Sequence, residues 1–275
     1  MNVLPTLPAR FADCLRAARS VLILSGAGMS AESGVATFRG ARGGLWSDHD
    51  PAQLATAQAW RADPALVWGW YLWRMAQVRH AQPHAGYHAL AALRARVPAL
   101  HIVTQNVDDL HERAGLTDVI HLHGELFAHR CFACARPHAP VAIPDAAAHA
   151  PRLRVEPPRC AHCGERIRPG VVWFGESLPE AAWNAAVTLA NRCDLLLVVG
   201  TAGVVYPAAG LPAIARRAGA TVVEINPEDT ELSASADLCL RTSAALGLSA
   251  CAQAVAASDD HAGARCRRPC PARLP

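Results

Sequence analysis

The chain has 275 residues, 52% of them hydrophobic, and a formal net charge of +3 from 26 Lys and Arg against 23 Asp and Glu. That apolar fraction excludes disorder throughout and leaves room for one large or two modest domains. The arginines are scattered rather than gathered into a block, which argues against nucleic acid as a partner. No apolar run approaches the roughly 20 residues that cross a bilayer, and the N-terminus lacks a charged, apolar and small-residue leader pattern. A soluble, cytoplasmic protein with no membrane partner is therefore expected. Of the ten cysteines, four form two C-x-x-C pairs, which in a chain of this size favours metal ligation in a reducing compartment.

Leu7, Phe11, Leu15 and Ala18 recur at helical spacing, and Val21-Leu22-Ile23-Leu24 follows as a short apolar strand. Further runs of strand type are His101-Ile102-Val103, Leu195 to Val199 and Thr221 to Ile225, each flanked by alanine-rich helical stretches. Continuously apolar strands alternating with helices predict an α/β fold, a parallel sheet covered on both faces. Each run ends in glycine or polar residues: Ser25 to Gly28, Thr104 to Asn106, Gly200-Thr201 and Asn226-Pro227. In open parallel sheets these carboxyl ends line the ligand crevice.

Gly26-Ala27-Gly28-Met29-Ser30, with Gly34 further on, follows the first strand and opens a helix, the context of a phosphate-cradling loop. Five residues separate Gly28 from Gly34, so the spacing is not G-x-G-x-x-G, and an ordinary tight turn stays open. Thr37-Phe38-Arg39-Gly40 supplies a ring and a guanidinium suited to a sugar or base and to a phosphate. Gln105, Asn106 and Asp108 could hold a ribose and a carboxamide by complementary hydrogen bonds. Asn106 or Asp108 would serve equally as a helix cap. His121 and His123 are one residue apart and point the same way on an extended segment, and His123 is a candidate general base.

Cys131-x-x-Cys134 and Cys160-x-x-Cys163 are separated by 25 residues in a stretch rich in Pro, His and Arg, without a clear helix or strand period from about 128 to 168. Four thiolates make a closed tetrahedral zinc site with no open position for chemistry, so one structural Zn²⁺ is expected. A redox pair is the rival, but one C-x-x-C would suffice and neither follows a strand to open a helix.

Taken in order, G-A-G-x-S-x-x-S-G, T-F-R-G, T-Q-N-V-D-x-L-H, H-G-E, the paired cysteines, V-V-W-F-G-E, V-G-T and E-I-N resemble the sirtuins from about residue 10 to 250. The resemblance implies a Rossmann-like NAD-binding domain made of 1–40, 84–127 and 169–255, with a small domain holding a helical part, 41–83, and a zinc-ribbon module, 128–168. Residues 256–275 are polar and aperiodic and are expected to be a disordered tail. It further implies an NAD-dependent protein deacylase acting on acyl-lysine proteins or peptides. Gly26, Ala27, Gly28, Ser30, Thr37, Phe38, Arg39 and Trp46 would hold NAD. So would Gln105, Asn106, Val107, Asp108, Gly200, Thr201, Ala202, Asn226, Pro227, Glu228 and Ala244.

In the implied mechanism the acyl oxygen attacks the nicotinamide ribose carbon, and His123, with Asn106 and Asp108 in the catalytic set, takes a ribose hydroxyl proton. The sugar oxygen then attacks the imidate and water completes the release, giving nicotinamide, free lysine and O-acyl-ADP-ribose. Val172, Trp173, Phe174 and Gly175 resemble an edge along which substrate peptide adds as a strand, although valines there also suit plain core packing. Tyr71 and Arg74, a Y-x-x-R on one helical face, resemble the class III branch, where a phenol and a guanidinium would bind the carboxylate of succinyl- or malonyl-lysine. Arg74 by itself would be read as a surface residue. Ala36 stands where most of the family has proline. Mono-ADP-ribosyl transfer and a non-catalytic NAD sensor are the rival functions.

Overall fold

The computed structural model of the chain describes residues 4–37, 51–149 and 151–265. The chain opens with α1 (Ala9–Ala17), β1 (Ser20–Ser25) and the short α2 (Gly28–Ala31). Four helices follow, α3 (Pro51–Leu54), α4 (Ala57–Ala62), α5 (Pro64–His80) and α6 (Ala85–Arg94), and lead into β2 (Ala99–Thr104). After α7 (Leu110–Arg113) come β3 (Ile120–His121), β4 (Gly124–Cys131), β5 (Pro137–His138) and β6 (Ile167–Val171). The chain closes with α8 (Glu180–Ala190), β7 (Leu195–Val199), α9 (Leu211–Arg217), β8 (Thr221–Ile225), β9 (Leu238–Leu240) and α10 (Ala244–Arg265).

Six strands form one sheet in the order β3-β2-β1-β7-β8-β9, every pair parallel. The unbroken apolar runs are explained by the pleat. Val21 and Ile23 of β1, with Leu195, Leu197 and Val199 of β7, pack into one core. Leu22 and Leu24, with Leu196 and Val198, pack into the other, beneath Ala186 and Ala190 of α8 and Leu211 and Ala215 of α9. Each valine, leucine or isoleucine here contributes about 1.5–3 kcal/mol on burial, and both faces must be covered for a purely parallel sheet to persist. The expected α/β architecture is the one found.

A second, antiparallel sheet, β5-β4-β6, forms between β3 and β7. It spans Gly124 to Val171, and its strands gave no clear period because the β4–β6 register shifts between Glu125 and His129, which interrupts the alternation a strand shows in sequence. Residues 256–265, expected to begin a disordered tail, instead continue α10 as helix to Arg265. Alanine, the strongest helix former, recurs through Ala250, Ala252, Ala254, Ala256 and Ala257, and the packed first turns of α10 supply the nucleus that a free segment lacks. The rest of that expectation, residues 266–275, lies outside the described residues.

Helix α5 is apolar around most of its girth, with Trp68, Trp70, Tyr71, Leu72 and Met75 all buried. Asp63 caps it, its Oδ1 accepting from Leu66 N at 3.1 Å, and Arg154 of the inserted segment grips the same carboxylate at 2.6 and 2.8 Å. The inserted backbone also lies directly on the helix: Val155 N donates to Ala65 O at 3.0 Å. A Cβ at Gly69 would stand 1.6 Å from Leu153 O. Helix propensity favours Ala over Gly by about 0.8–1 kcal/mol, but the backbone collision dominates. Gly69→Ala is expected to destabilise the protein by about 1–3 kcal/mol, read as a lower urea midpoint at constant m. A midpoint that rises instead would show that the 153–155 segment does not rest on α5.

Candidate active site

A cleft of ≈ 560 Å³ lies at the carboxyl ends of β1, β2, β7 and β8, where the chain order reverses between β2 and β7 on either side of β1. Its walls include Gly26, Ala27, Gly28, Thr37, Gln105, Asn106, Val107, His123, Gly200, Thr201, Ala202, Asn226, Pro227, Glu228 and Ala244. The sequence motifs at the four strand ends thus converge on one space. The loop after β1 fits by contact: Gly28 N donates to Gly200 O at 2.7 Å, and a Cβ on Gly28 would stand 2.8 Å from Gly200 Cα. Thr201 ties the neighbouring ends together, its Oγ1 accepting from Gln105 Nε2 at 3.0 Å and its carbonyl from Asn226 Nδ2 at 3.2 Å.

Ser30 and Asp108 do not line the cleft; they sit behind it. Ser30 Oγ donates to Asp108 Oδ2 at 2.8 Å, accepts from Asn106 Nδ2 at 2.9 Å and meets Tyr87 OH at 2.9 Å. Ser30, Asn106, Asp108 and Tyr87 are all buried. Burial raises the Asp108 pKa, against the opposing bonds from Ser30 and Leu110 N. Asp108 Oδ1 accepts from Leu110 N at 3.3 Å, at the start of α7, a bond of the capping kind. Tyr87 escaped the sequence reading; its only signal is one phenol on the otherwise apolar face of α6 that carries Leu90 and Leu93. Phe38, Arg39 and Trp46 lie outside the described residues.

His123 Nδ1 lies 2.9 Å from the Gln105 carbonyl, an acceptor only, so Nδ1 carries the proton and Nε2 keeps its lone pair. Burial holds the imidazole below the ordinary histidine pKa, with the Gln105 carbonyl pulling the other way, so it is neutral at pH 7. His121 hangs from the same segment, its Nδ1 3.0 Å from the Asn106 carbonyl and its Nε2 2.9 Å from Glu112. It faces a second, smaller cavity.

The other wall is made of Tyr71, Arg74, Val172, Trp173, Phe174 and Gly175. Arg74, read by itself as a surface residue, is 5% exposed; its guanidinium donates to Ala36 O at 2.7 Å. Burial pushes its pKa down to about 10, with Asp108 opposing, so it stays charged at pH 7. Burial raises the Tyr71 phenol and keeps it protonated. Val172 N donates to the His123 carbonyl at 2.7 Å. At the mouth, Phe174, Val204 and Tyr206 are the exposed large apolar residues among the described residues, Tyr206 at 76%.

Away from the cleft, the Sγ atoms of Cys131, Cys134, Cys160 and Cys163 all lie within 4.8 Å of one another, with separations of 3.4, 3.6 and 3.7 Å among them. Four thiolates around zinc at about 2.3 Å stand about 3.8 Å apart, so the donor set fits one structural Zn²⁺.

The Sir2 family profile matches residues 26–207. The chain belongs to the Sir2 family. It is 54% identical over 228 residues to NAD-dependent protein deacylase 1 of Pseudomonas aeruginosa, covering 83% of this chain and 91% of that one. It is 52% identical over 231 residues to a Methylococcus capsulatus NAD-dependent protein deacylase, covering 84% and 90%. Among solved structures, a Sir2 homologue–NAD complex superimposes with TM-score 0.82 at 39% identity, covering 94% of this chain and 97% of that one. A Sir2 complex with a p53 peptide and NAD⁺ gives 0.71 at 29%, covering 93% and 98%. No helix among the described residues of this Sir2 chain is long and apolar enough to cross a membrane.

Because binding energy at a closed thiolate site is folding energy, Cys160→Ser should release the metal and melt the β4–β6 sheet while the parallel sheet persists. Zinc content per chain by atomic absorption and protease cutting within 124–171 measure this. Full zinc content in the variant would remove Cys160 from the ligand set.

Proposed function

We propose that this Sir2 chain is an NAD-dependent protein-lysine deacylase whose acyl pocket takes carboxylated chains, succinyl and malonyl, in addition to acetyl. The named activity of its relatives, at about half identity over most of both chains, supports the deacylase reading. The strand-end walls suit NAD: glycine backbone for the pyrophosphate, and Gln105 and Asn106 amides for the nicotinamide ribose. NAD, when bound, supplies the ribose carbon that loses nicotinamide and accepts the acyl oxygen.

The chain's own groups do the rest. His123 Nε2, held by the Gln105 carbonyl, takes a proton from a ribose hydroxyl. Asn106 is oriented by Ser30, which Asp108 and Tyr87 fix in turn. Phe174 and Val204 edge the mouth where acyl-lysine peptide adds as a strand. The acidic-acyl preference rests on one observation: Arg74 and Tyr71 are buried in the wall of the cavity that holds His123. A charged guanidinium in a low-dielectric wall is complementary to a carboxylate and indifferent to a methyl group.

His123→Ala should lower turnover by about 10²–10⁴-fold while melting temperature and NAD affinity are retained; loss of folding would make the residue structural. A base must be neutral to act, and its pKa is lowered, so the acid limb of kcat/KM should fall below pH 6.5. A limb above that value would reject burial as the controlling effect.

On one peptide carrying acetyl, succinyl or malonyl lysine, Arg74→Met should reduce kcat/KM for the two acidic groups about 10–100-fold relative to acetyl. Equal losses on all three would remove the acidic-acyl assignment.

A further inference from the structure

Trp173 Nε1 lies 2.9 Å from Tyr71 OH. An indole N–H can only donate, so the phenol oxygen accepts, and its own hydrogen is left for a different partner. Burial keeps that hydrogen in place at neutral pH. Three residues along the same face of α5 stands Arg74, also a donor only, and both side chains border the cavity. This end of the pocket therefore presents hydrogen-bond donors, and the phenol is one of them because the indole holds its acceptor side.

The indole is itself clamped. The Arg168 guanidinium lies 3.3 Å from the Trp173 ring centroid and is fixed by two bonds to Glu176 and one to the Val171 carbonyl at 2.8 Å. Glu176 Oε2 accepts from Trp173 N at 2.8 Å, so a single carboxylate holds both the backbone of Trp173 and the cation over its ring. Trp60 packs against the indole with centroids 5.6 Å apart and Phe132 at 6.4 Å. Arg168 is 3% exposed and Trp173 2%. A ring so enclosed cannot swing its N–H away, and the direction of the phenol hydrogen bond is set by the protein before any substrate arrives.

We infer that the Trp173 indole N–H is a positioning group for acyl selectivity: by donating to Tyr71 OH it makes the phenol a dedicated donor to an acyl carboxylate beside Arg74. This rests on the acidic-acyl reading and adds to it a residue that acts through another. An acetyl group has no acceptor that reaches the phenol, so the effect belongs to the carboxylated substrates.

The experiment compares kcat and KM for acetyl- and succinyl-lysine forms of one peptide in the zinc-loaded full chain and in Trp173→Phe, Tyr71→Phe, the double variant and Arg74→Met. Phenylalanine keeps an aromatic ring under Arg168 and removes the N–H. Trp173→Phe should lower the succinyl-to-acetyl ratio of kcat/KM about five- to tenfold, chiefly through KM, as expected for one neutral hydrogen bond. In the Tyr71→Phe background the same change should leave the ratio unaltered, because there is no phenol left to orient. A purely structural void would cost the same in both backgrounds, and that additivity would overturn the inference. An unchanged ratio in Trp173→Phe, with Arg74→Met still selective against succinyl, overturns the inference and leaves the acidic-acyl reading standing. An unchanged ratio in Arg74→Met overturns both.

Discussion

The cleft is referenced to a backbone contact too close for any side chain. Gly28 and Gly200, at the ends of β1 and β7, meet through a 2.7 Å hydrogen bond, and a methyl group on either would collide with the other's main chain. That contact sets how near the two loops stand, and with it the position of Thr201, which binds Gln105 and Asn226. All four strand ends are therefore held by one point of closure between β1 and β7 and one hydroxyl-bearing residue beside it. Reach along the cleft follows from sheet geometry, and no loop has to find its place alone.

Behind this wall lies a polar core whose partners leave little freedom. Ser30 Oγ has one hydrogen and two lone pairs, and Asp108, Asn106 and Tyr87 use all three. Buried groups without partners are costly, and fully partnered ones rigidify. Asn106, which borders the cleft, is thereby held from behind by a partnered hydroxyl. The opposite wall obeys the same logic with different chemistry, since Arg168, Glu176 and Trp173 hold Tyr71 by charge, ring face and N–H together.

Much of this could be read from residues in a line. Val21 to Leu24 and Leu195 to Val199 are legible because a strand buried on both faces has no polar alternation to confuse with helix, and their glycine and amide ends mark the crevice. The cysteine pairs are legible because ligand spacing is local. Tyr87 was not, because the partner that gives it meaning, Ser30, is 57 positions away. Arg74 read alone as a surface residue, since only the fold brings the backbone around residue 36 against its guanidinium. The register shift in β4 hid a strand, and the sequence of residues 256–265 shows no apolar stripe by which to read a helix. Asp108 was left between cap and site, and the fold shows it accepting from Leu110 N and from Ser30 behind the cleft.

The small sheet joins two places that sequence treats as separate. β4 and β6 pair from Cys131 with Ile167 at one end to Gly124 with Val171 at the other, and there Val172 N meets the carbonyl of His123. The thiolate cluster and the imidazole thus occupy opposite tips of one ribbon. A reagent that strips or oxidises the sulfurs never has to enter the crevice to loosen the histidine. Its inhibition would be of the noncompetitive kind, beyond rescue by any excess of dinucleotide.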